Sequence, residues 1–540
     1  MPPPQDATGS ANDRQAVDEE ALPDRTLRAP IPLAMASLWI SARGRRSALA
    51  LPSPLPLLPL LLLCCCSCSS WGQPTRWRSW RPPATAAEAS AGLWFQQRLD
   101  HFSAADARVW NQRYFMNETF HKPGGPVLLM IGGEGPANAA WMSQGTWLEY
   151  ARRLGATCLM LEHRFYGQSH PTANASVENL RYLSSEQALA DLAHFRREMG
   201  AALPRLAGAK WVAVGGSYPG SLAAWFRLKY PHLVHSAVAS SAPLNATVNF
   251  PEYLEVVRRS LEAYDVQCSA SVEDASDRVV QLLGEKDYEK ISKDFGLCEP
   301  LDVRSDADSA YLLETLAGFF MDVVQYNEDN RAFEGAKGTN VTIAVLCAVM
   351  RDAALGGAYE RYAAAVRLAS DALGAPCVDA SYAGFLREMR GHAWDGPAVA
   401  SGGRQWVYQT CTEFGFYQTT DSAQQPFSGF PLSYKLQQCA DVYGPEFDAA
   451  AVAAAVQRTN EDYGGLALRA SRIVFPNGSI DPWHALGATR DLAADLPAIY
   501  IQGTAHCANM YPATAQDPPQ LTEARARIFD LLQKWLSEDD

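Results

Sequence analysis

Beyond residue 68 this 540-residue chain has no Cys-x-x-Cys pair. The eight cysteines there are Cys158, Cys268, Cys298, Cys347, Cys377, Cys411, Cys439 and Cys507. Such wide spacing argues against a zinc site. Nothing in the pattern asks for another metal or a cofactor. Positive charge is also scarce: 46 Lys and Arg face 59 Asp and Glu, a formal net charge of -13. That balance disfavours a nucleic-acid partner and reads as solubility. Internal repeats are absent, and so are low-complexity tracts outside the first ninety residues. Composition is that of a globular protein, 48% hydrophobic and 19% charged. The length suits several domains, or one large domain with an insertion.

The first ninety residues differ in kind. Arg43, Arg45 and Arg46 precede a run from Ala48 to Cys68 rich in leucine and cysteine. A positive flank, an apolar run and small residues make a secretory signal. It stands too far in for an ordinary signal peptide, so either Met35 is the true start or the leader is unusually long. A membrane anchor is the alternative, and Pro52, Pro54, Pro56 and Pro59 argue against it. No stable membrane association is expected once the signal is removed. Five sequons, at Asn117, Asn174, Asn245, Asn340 and Asn477, agree with the secretory route as glycosylation candidates. An even number of remaining cysteines suggests disulfides.

Apolar runs at 126–131, 156–161, 211–214 and 236–240 lack polar alternation and are separated by helical spacing. Ser184 and Gln187 open the clearest helix as a capping box. Residues 141–154 also have helical spacing. This pattern predicts an α/β fold with a mostly parallel sheet covered on both faces. After Asn245 strand signals thin out, and six of the eight cysteines fall between Cys268 and Cys439. The expected layout is a leader, signal segment and linker over 1–90, then a first α/β part over 91–245. A disulfide-stapled helical cap over 246–449 and a second α/β part over 450–540 complete it.

One stretch organises the chemistry: Lys210-Trp-Val-Ala-Val-Gly-Gly-Ser217-Tyr-Pro-Gly220. Strand, glycine turn, serine and helix have the layout of a nucleophile elbow, and taken alone equally of an ordinary glycine-rich strand-to-helix turn. Glycine falls at 220, one place later than Gly-x-Ser-x-Gly requires, with Pro219 between. A serine nucleophile needs a base, and the base needs an orienting acid. Asp481 follows the strand at Ile473, and His506 follows the strand at Ile499. That order, Ser217, Asp481, His506, is the order of an α/β-hydrolase triad. His484 precedes the final strand, where this fold places no base, and His163 reads as structural. The oxyanion hole would take the Tyr218 backbone N–H and a second donor from Gly132–Gly135, with Gly133 its candidate. Glu134 in that loop either binds a peptide amino terminus or is a solvated loop residue.

At these residues the chain resembles peptidase family S28, the prolyl carboxypeptidase-like serine peptidases, over roughly 93–536. The resemblance rests on Leu99-Asp-His-Phe102, Glu162-His-Arg-Phe-Tyr-Gly-Gln-Ser169, Gly215-Gly-Ser-Tyr218, Ser240-Ser-Ala-Pro243, Asn477-Gly-Ser-Ile-Asp-Pro-Trp483 and Gly503-Thr-Ala-His506. The stretches 222–232 and 406–417, with Asp481-Pro-Trp-His484, bring it nearest to the thymus-specific branch of that family. The resemblance implies an α/β-hydrolase with a helical cap and the same triad. It implies pairing of Cys268 with Cys347, Cys298 with Cys377, and Cys411 with Cys439, which leaves Cys158 and Cys507 as free thiols. It also implies peptide substrates, cleavage beside proline from a chain end, and an endosomal, lysosomal or extracellular location with an acid optimum. Trp406 and Trp483 either line a proline-sized pocket or pack the core. Two departures stand out: Pro219 replaces a small residue, and Gly133-Glu134 replaces Asn-Glu. The expected function is a secretory-pathway serine peptidase. The alternatives are an esterase or lipase on this fold and a non-catalytic binding protein. Oligomeric state is left open, a homodimer included.

Overall fold

Eight strands of one sheet carry the molecule, and a computed structural model describes them within residues 92–538. The expected signal segment and linker, and Met35, lie outside the described residues. The strands are β1 (Leu93–Arg98), β2 (Val109–Asn117), β3 (Val127–Ile131), β4 (Thr157–Leu161), β5 (Trp211–Gly216) and β6 (Ser236–Ser240). After β7 (Thr247–Asn249) and β8 (Gly415–Tyr417), which pair with each other, come β9 (Ile473–Gly478) and β10 (Ala498–Ile501). Spatial order is β1-β2-β4-β3-β5-β6-β9-β10. Only β2 runs against its neighbours β1 and β4; every other pairing in the sheet is parallel.

Side chains alternate across a strand, and the core divides accordingly. Leu129, Ile131, Leu159, Leu161 and Ala213 join one cluster. Leu128, Met130, Cys158, Met160 and Val214 join the other. The first face is covered by α2 (Ser185–Ala202) and α3 (Tyr218–Lys229), through Leu189, Leu192, Leu222 and Phe226. The second is covered by α1 (Thr146–Leu154) and α10 (Pro519–Ser537), through Trp147, Leu148, Ile528 and Trp535. With both faces dry, β3 to β6 need no polar alternation, which is why they read as continuous apolar runs.

Between β6 and β9 the chain is mostly helical. Its helices include α4 (Glu252–Tyr264), α5 (Val266–Glu285), α6 (Asp306–Gln325), α7 (Ala358–Leu373), α8 (Gly403–Gln409) and α9 (Ala449–Tyr463). All three expected disulfides form: Cys268–Cys347, Cys298–Cys377 and Cys411–Cys439, while Cys158 and Cys507 are free and buried. Although α9 starts at 449, its Thr459 hydroxyl donates to the Glu413 carbonyl, so it packs with the insertion. The architecture is an α/β-hydrolase with an inserted helical cap.

Two local details differ from expectation. The helix expected over 141–154 is broken at Gly145, whose φ is +103°, into a short turn at Ala139–Met142 and α1. Asn477 is 1% exposed in β9, and its amide nitrogen donates to the Ala488 carbonyl. A glycan at Asn477 is therefore corrected: the amide is occupied inside the fold. Asn340 is exposed, and Asn117, Asn174 and Asn245 are half-buried. Among the described residues no helix is long and apolar enough to cross a membrane.

Candidate active site

Ser217 sits alone between β5 and α3, with φ +63° and ψ −134°. That region is costly for a residue with a side chain, about 1–3 kcal/mol, and such strain gathers at functional sites. The surroundings hold it there. The Ser217 N–H donates to the Ser240 carbonyl at 2.9 Å. A Cβ on Gly216 would lie 2.7 Å from Cys507 Sγ and 2.5 Å from Met510 Sδ. A Cβ on Gly220 would lie 2.7 Å from the Ser240 carbonyl oxygen. The displaced glycine is thus the one that lets α3 approach β6. Pro219 falls in the first turn of α3, where its missing N–H costs nothing.

Asp481 and His506 meet. Asp481 caps the turn Pro482–Leu486, its Oδ1 accepting from the Trp483 N–H at 3.0 Å. The same oxygen lies 2.8 Å from His506 Nδ1. Both side chains are buried. This bond places the proton on Nδ1 and leaves Nε2 as the free base. Burial works against a charged imidazole, but the Asp481 carboxylate and the Cys507 sulfur beside it outweigh burial. Together they hold the His506 pKa well above its ordinary value. The backbone supports the ring: the His506 N–H donates to the Gln325 carbonyl at the end of α6, and Tyr326 lies edge-on at 5.9 Å. Among the described residues no hydrogen bond joins Ser217 Oγ to His506 Nε2. Cys507, next to His506, packs against Gly216, next to Ser217.

The two other histidines weighed from the sequence are engaged elsewhere. His484 Nδ1 lies 3.1 Å from the Gly478 carbonyl, with its ring against Tyr500. His163 is buried and its pKa is pushed down to about 4, so it is neutral. Its Nδ1 faces the Arg164 carbonyl at 2.7 Å and must carry the proton. Its Nε2 therefore accepts from the Tyr218 hydroxyl at 3.0 Å. Gln409 of α8 donates to that hydroxyl at 3.1 Å and to Glu413 at 2.9 Å. Sequence reasoning did not single out Gln409, Glu413 or Gln325. Their only trace was membership of stretches read as aromatic or helical.

Tyr218 is the first residue of α3, so its N–H has no intrahelical acceptor. This is the donor expected after a nucleophile. Gly133, in the loop after β3, lies against the ring of Pro219, the next residue of α3. Glu134, half-buried in that loop, has its carboxyl pKa raised by burial, which its own N–H and the nearby His506 offset only in part. Trp406 is half-buried against the Tyr218 ring at 5.7 Å. Trp483 is 9% exposed and donates its indole N–H to Gln325 Oε1 at 2.9 Å. A chain of rings joins the two: Trp406 to Phe414 at 6.0 Å, Phe414 to Phe416 at 5.5 Å, Phe416 to Trp483 at 5.4 Å. The arrangement brings together a serine hydroxyl on a strained turn, a histidine bonded to an aspartate, the Tyr218 backbone N–H and a run of packed aromatic rings. Those are the parts of acyl transfer.

The family model described as Serine carboxypeptidase S28 matches residues 97–528. Thymus-specific serine protease of Mus musculus is 39% identical over 459 residues, covering 82% of this chain and 87% of that protein. Its Homo sapiens counterpart is 37% identical over 471 residues, covering 84% and 88%. Lysosomal Pro-X carboxypeptidase of Mus musculus is 29% identical over 479 residues, covering 84% and 90%.

Proposed function

The chain belongs to the serine carboxypeptidase S28 family and is a serine-type peptidase, and from that premise we propose that Ser217, His506 and Asp481 are its catalytic triad. The observation that carries the reading is the buried 2.8 Å bond between Asp481 and His506, with Ser217 raised on a strained turn beside it. Ser217 Oγ attacks the scissile carbonyl carbon while His506 Nε2 takes its proton. Asp481 holds the Nδ1 proton and stabilises the imidazolium. The carbonyl oxygen gains the negative charge, and the N–H groups of Tyr218 and of the loop at Gly133 receive it. Collapse breaks the C–N bond, and the imidazolium protonates the departing amine. Water then adds to the acyl-enzyme by the same route and frees Ser217.

The substrates are peptides engaged near a chain end, with proline at the cleavage point. The ring wall from Trp406 to Trp483 supports this, because aromatic faces pack against a pyrrolidine ring. Glu134 is the group for an amino terminus, since a carboxylate beside the triad attracts a cation. The location is the secretory pathway, endosomal, lysosomal or extracellular. The test is a fluorophosphonate probe on folded protein, followed by turnover of matched peptide and ester substrates. The reading expects an adduct on Ser217, its loss in Ser217→Ala, and turnover of unactivated amides. Absence of an adduct in active, folded chain would overturn it, and turnover of esters alone would favour the esterase.

A further inference from the structure

Position 133 has no room for a side chain, for a reason that lies in the nucleophile turn. A Cβ on Gly133 would stand 2.4 Å from Pro219 Cγ and 2.8 Å from Pro219 Cδ. Those atoms belong to a closed ring with φ fixed, so they cannot swing aside as the end of a long side chain could. The ring therefore rests directly on the Gly133 backbone. Pro219 is held in turn by the first turn of α3, one residue after Tyr218. The loop is pinned from two further sides. The Gly132 N–H donates to the Leu161 carbonyl at 2.8 Å, at the end of β4. The Glu134 carbonyl oxygen would lie 2.5 Å from a Cβ on Gly402, at the start of α8 in the cap.

We propose that Pro219 is a positioning residue for the oxyanion hole: its ring, seated on Gly133, sets the spacing between the Tyr218 N–H and the donors of the 132–135 loop. This rests on the reading of Ser217 as nucleophile and of that loop as the second donor. Two donors act together only when both reach the same oxygen, and a shift of about 1 Å in one is enough to lose most of its effect. A flexible side chain at 219 would let the loop move relative to the helix. The ring makes the contact rigid. The two sequence departures, proline at 219 and glycine at 133, become one feature, since the ring occupies the space that a side chain at 133 would need.

The test is a double-mutant cycle in the full chain with Gly133→Ala, Pro219→Ala and both together. Each is assayed for kcat and KM on one amide substrate, for the rate of fluorophosphonate labelling, and for Tm. Gly133→Ala is expected to lower kcat on the order of 10²-fold, the range for one lost oxyanion donor, with KM within a few-fold. In the Pro219→Ala background the same change should cost less than about tenfold, because Cγ and Cδ are gone. Equal factors in the two backgrounds would overturn the proposal, and so would losses that track only the folded fraction. Should Gly133→Ala not fold, Pro219→Ala decides alone: a fall in kcat of about tenfold at constant KM and full folding supports it, and an unchanged kcat overturns it. Failure of Ser217 to label in the wild-type chain would instead remove the underlying reading, and the proposal with it.

Discussion

At the scale of single residues, His506 sets the pH behaviour. A general base works neutral, so kcat/KM falls as pH drops through the His506 pKa of the free enzyme. Burial opposes the charged ring, but Asp481 and Cys507 hold that pKa well above its ordinary value. The acid limb of the kcat/KM profile is therefore expected above about pH 6.5, the unperturbed histidine value. Asp481→Asn should move the limb to lower pH and cut kcat on the order of 10⁴-fold. A wild-type limb centred below pH 6 would contradict the upward pull of Asp481 and Cys507 on His506, and would restore the acid optimum that the family resemblance implies. Tyr218 gives a second residue-scale prediction. Its hydroxyl hydrogen-bonds both the His163 ring and Gln409. Tyr218→Phe leaves a buried acceptor and a buried donor without that partner, which should cost about 1–3 kcal/mol of stability in a denaturant titration. Unchanged stability would show that neither group depends on the hydroxyl. Ser217, Asp481 and His506 stood out in the sequence as candidates because each follows a strand end in a fixed order. Gln409 was not, because its role depends on a contact 191 residues away in sequence.

At the scale of elements, α2 is tied to the segments that follow β1 and β4 by charge rather than by packing alone. Arg164, just past β4, meets Asp191 of α2 through two hydrogen bonds of 2.7 Å, and His101 meets the same carboxylate at 2.7 Å. Burial pushes the Asp191 pKa up, but Arg164 and His101 prevail and hold it below the ordinary value. A depressed carboxylate pKa contributes stability that is full above the unfolded-state pKa and lost as pH falls through the folded one. Asp191→Asn should cost about 3–5 kcal/mol, because it strands a buried guanidinium. Its stability should also depend less on pH in the acid range than that of wild type. A loss under 1 kcal/mol in chemical denaturation would show that Arg164 finds other partners. The strands β3 to β6 were legible as elements because both faces are dry. β1 and β2 gave no such signal. Their buried positions include Gln97 and Gln112, the first donating its amide N–H to the second at 2.8 Å, and such pairing is invisible in a hydropathy pattern. The break at Gly145 was hidden in the same way, because helical spacing continues across it while the backbone does not.

At the scale of the whole molecule, the insertion and the sheet share one site. The last residue of α6, Gln325, takes the His506 N–H on its carbonyl. Its side-chain oxygen accepts from Trp483 at 2.9 Å and from Tyr253 at 2.7 Å. The His506 loop is thus carried by a cap helix as well as by β10. The cap is stapled, and the sheet is not: Cys158 in β4 and Cys507 after β10 are free thiols. Cys268–Cys347 and Cys298–Cys377 each join residues 79 apart. Chain entropy gives each such loop about 4.5 kcal/mol at most. Removing one bridge should loosen the cap while leaving the doubly covered sheet in place. For Cys298→Ala with Cys377→Ala, activity and Ser217 labelling are therefore expected to fail at a lower temperature than the far-ultraviolet signal does. Wild type should lose both together. The contact at Gln325 explains the order, since the His506 loop loses its support as soon as the end of α6 moves. Coincident loss of activity and secondary structure in the double variant would show instead that cap and sheet unfold as one unit, with Gln325 binding them too tightly for either to open first.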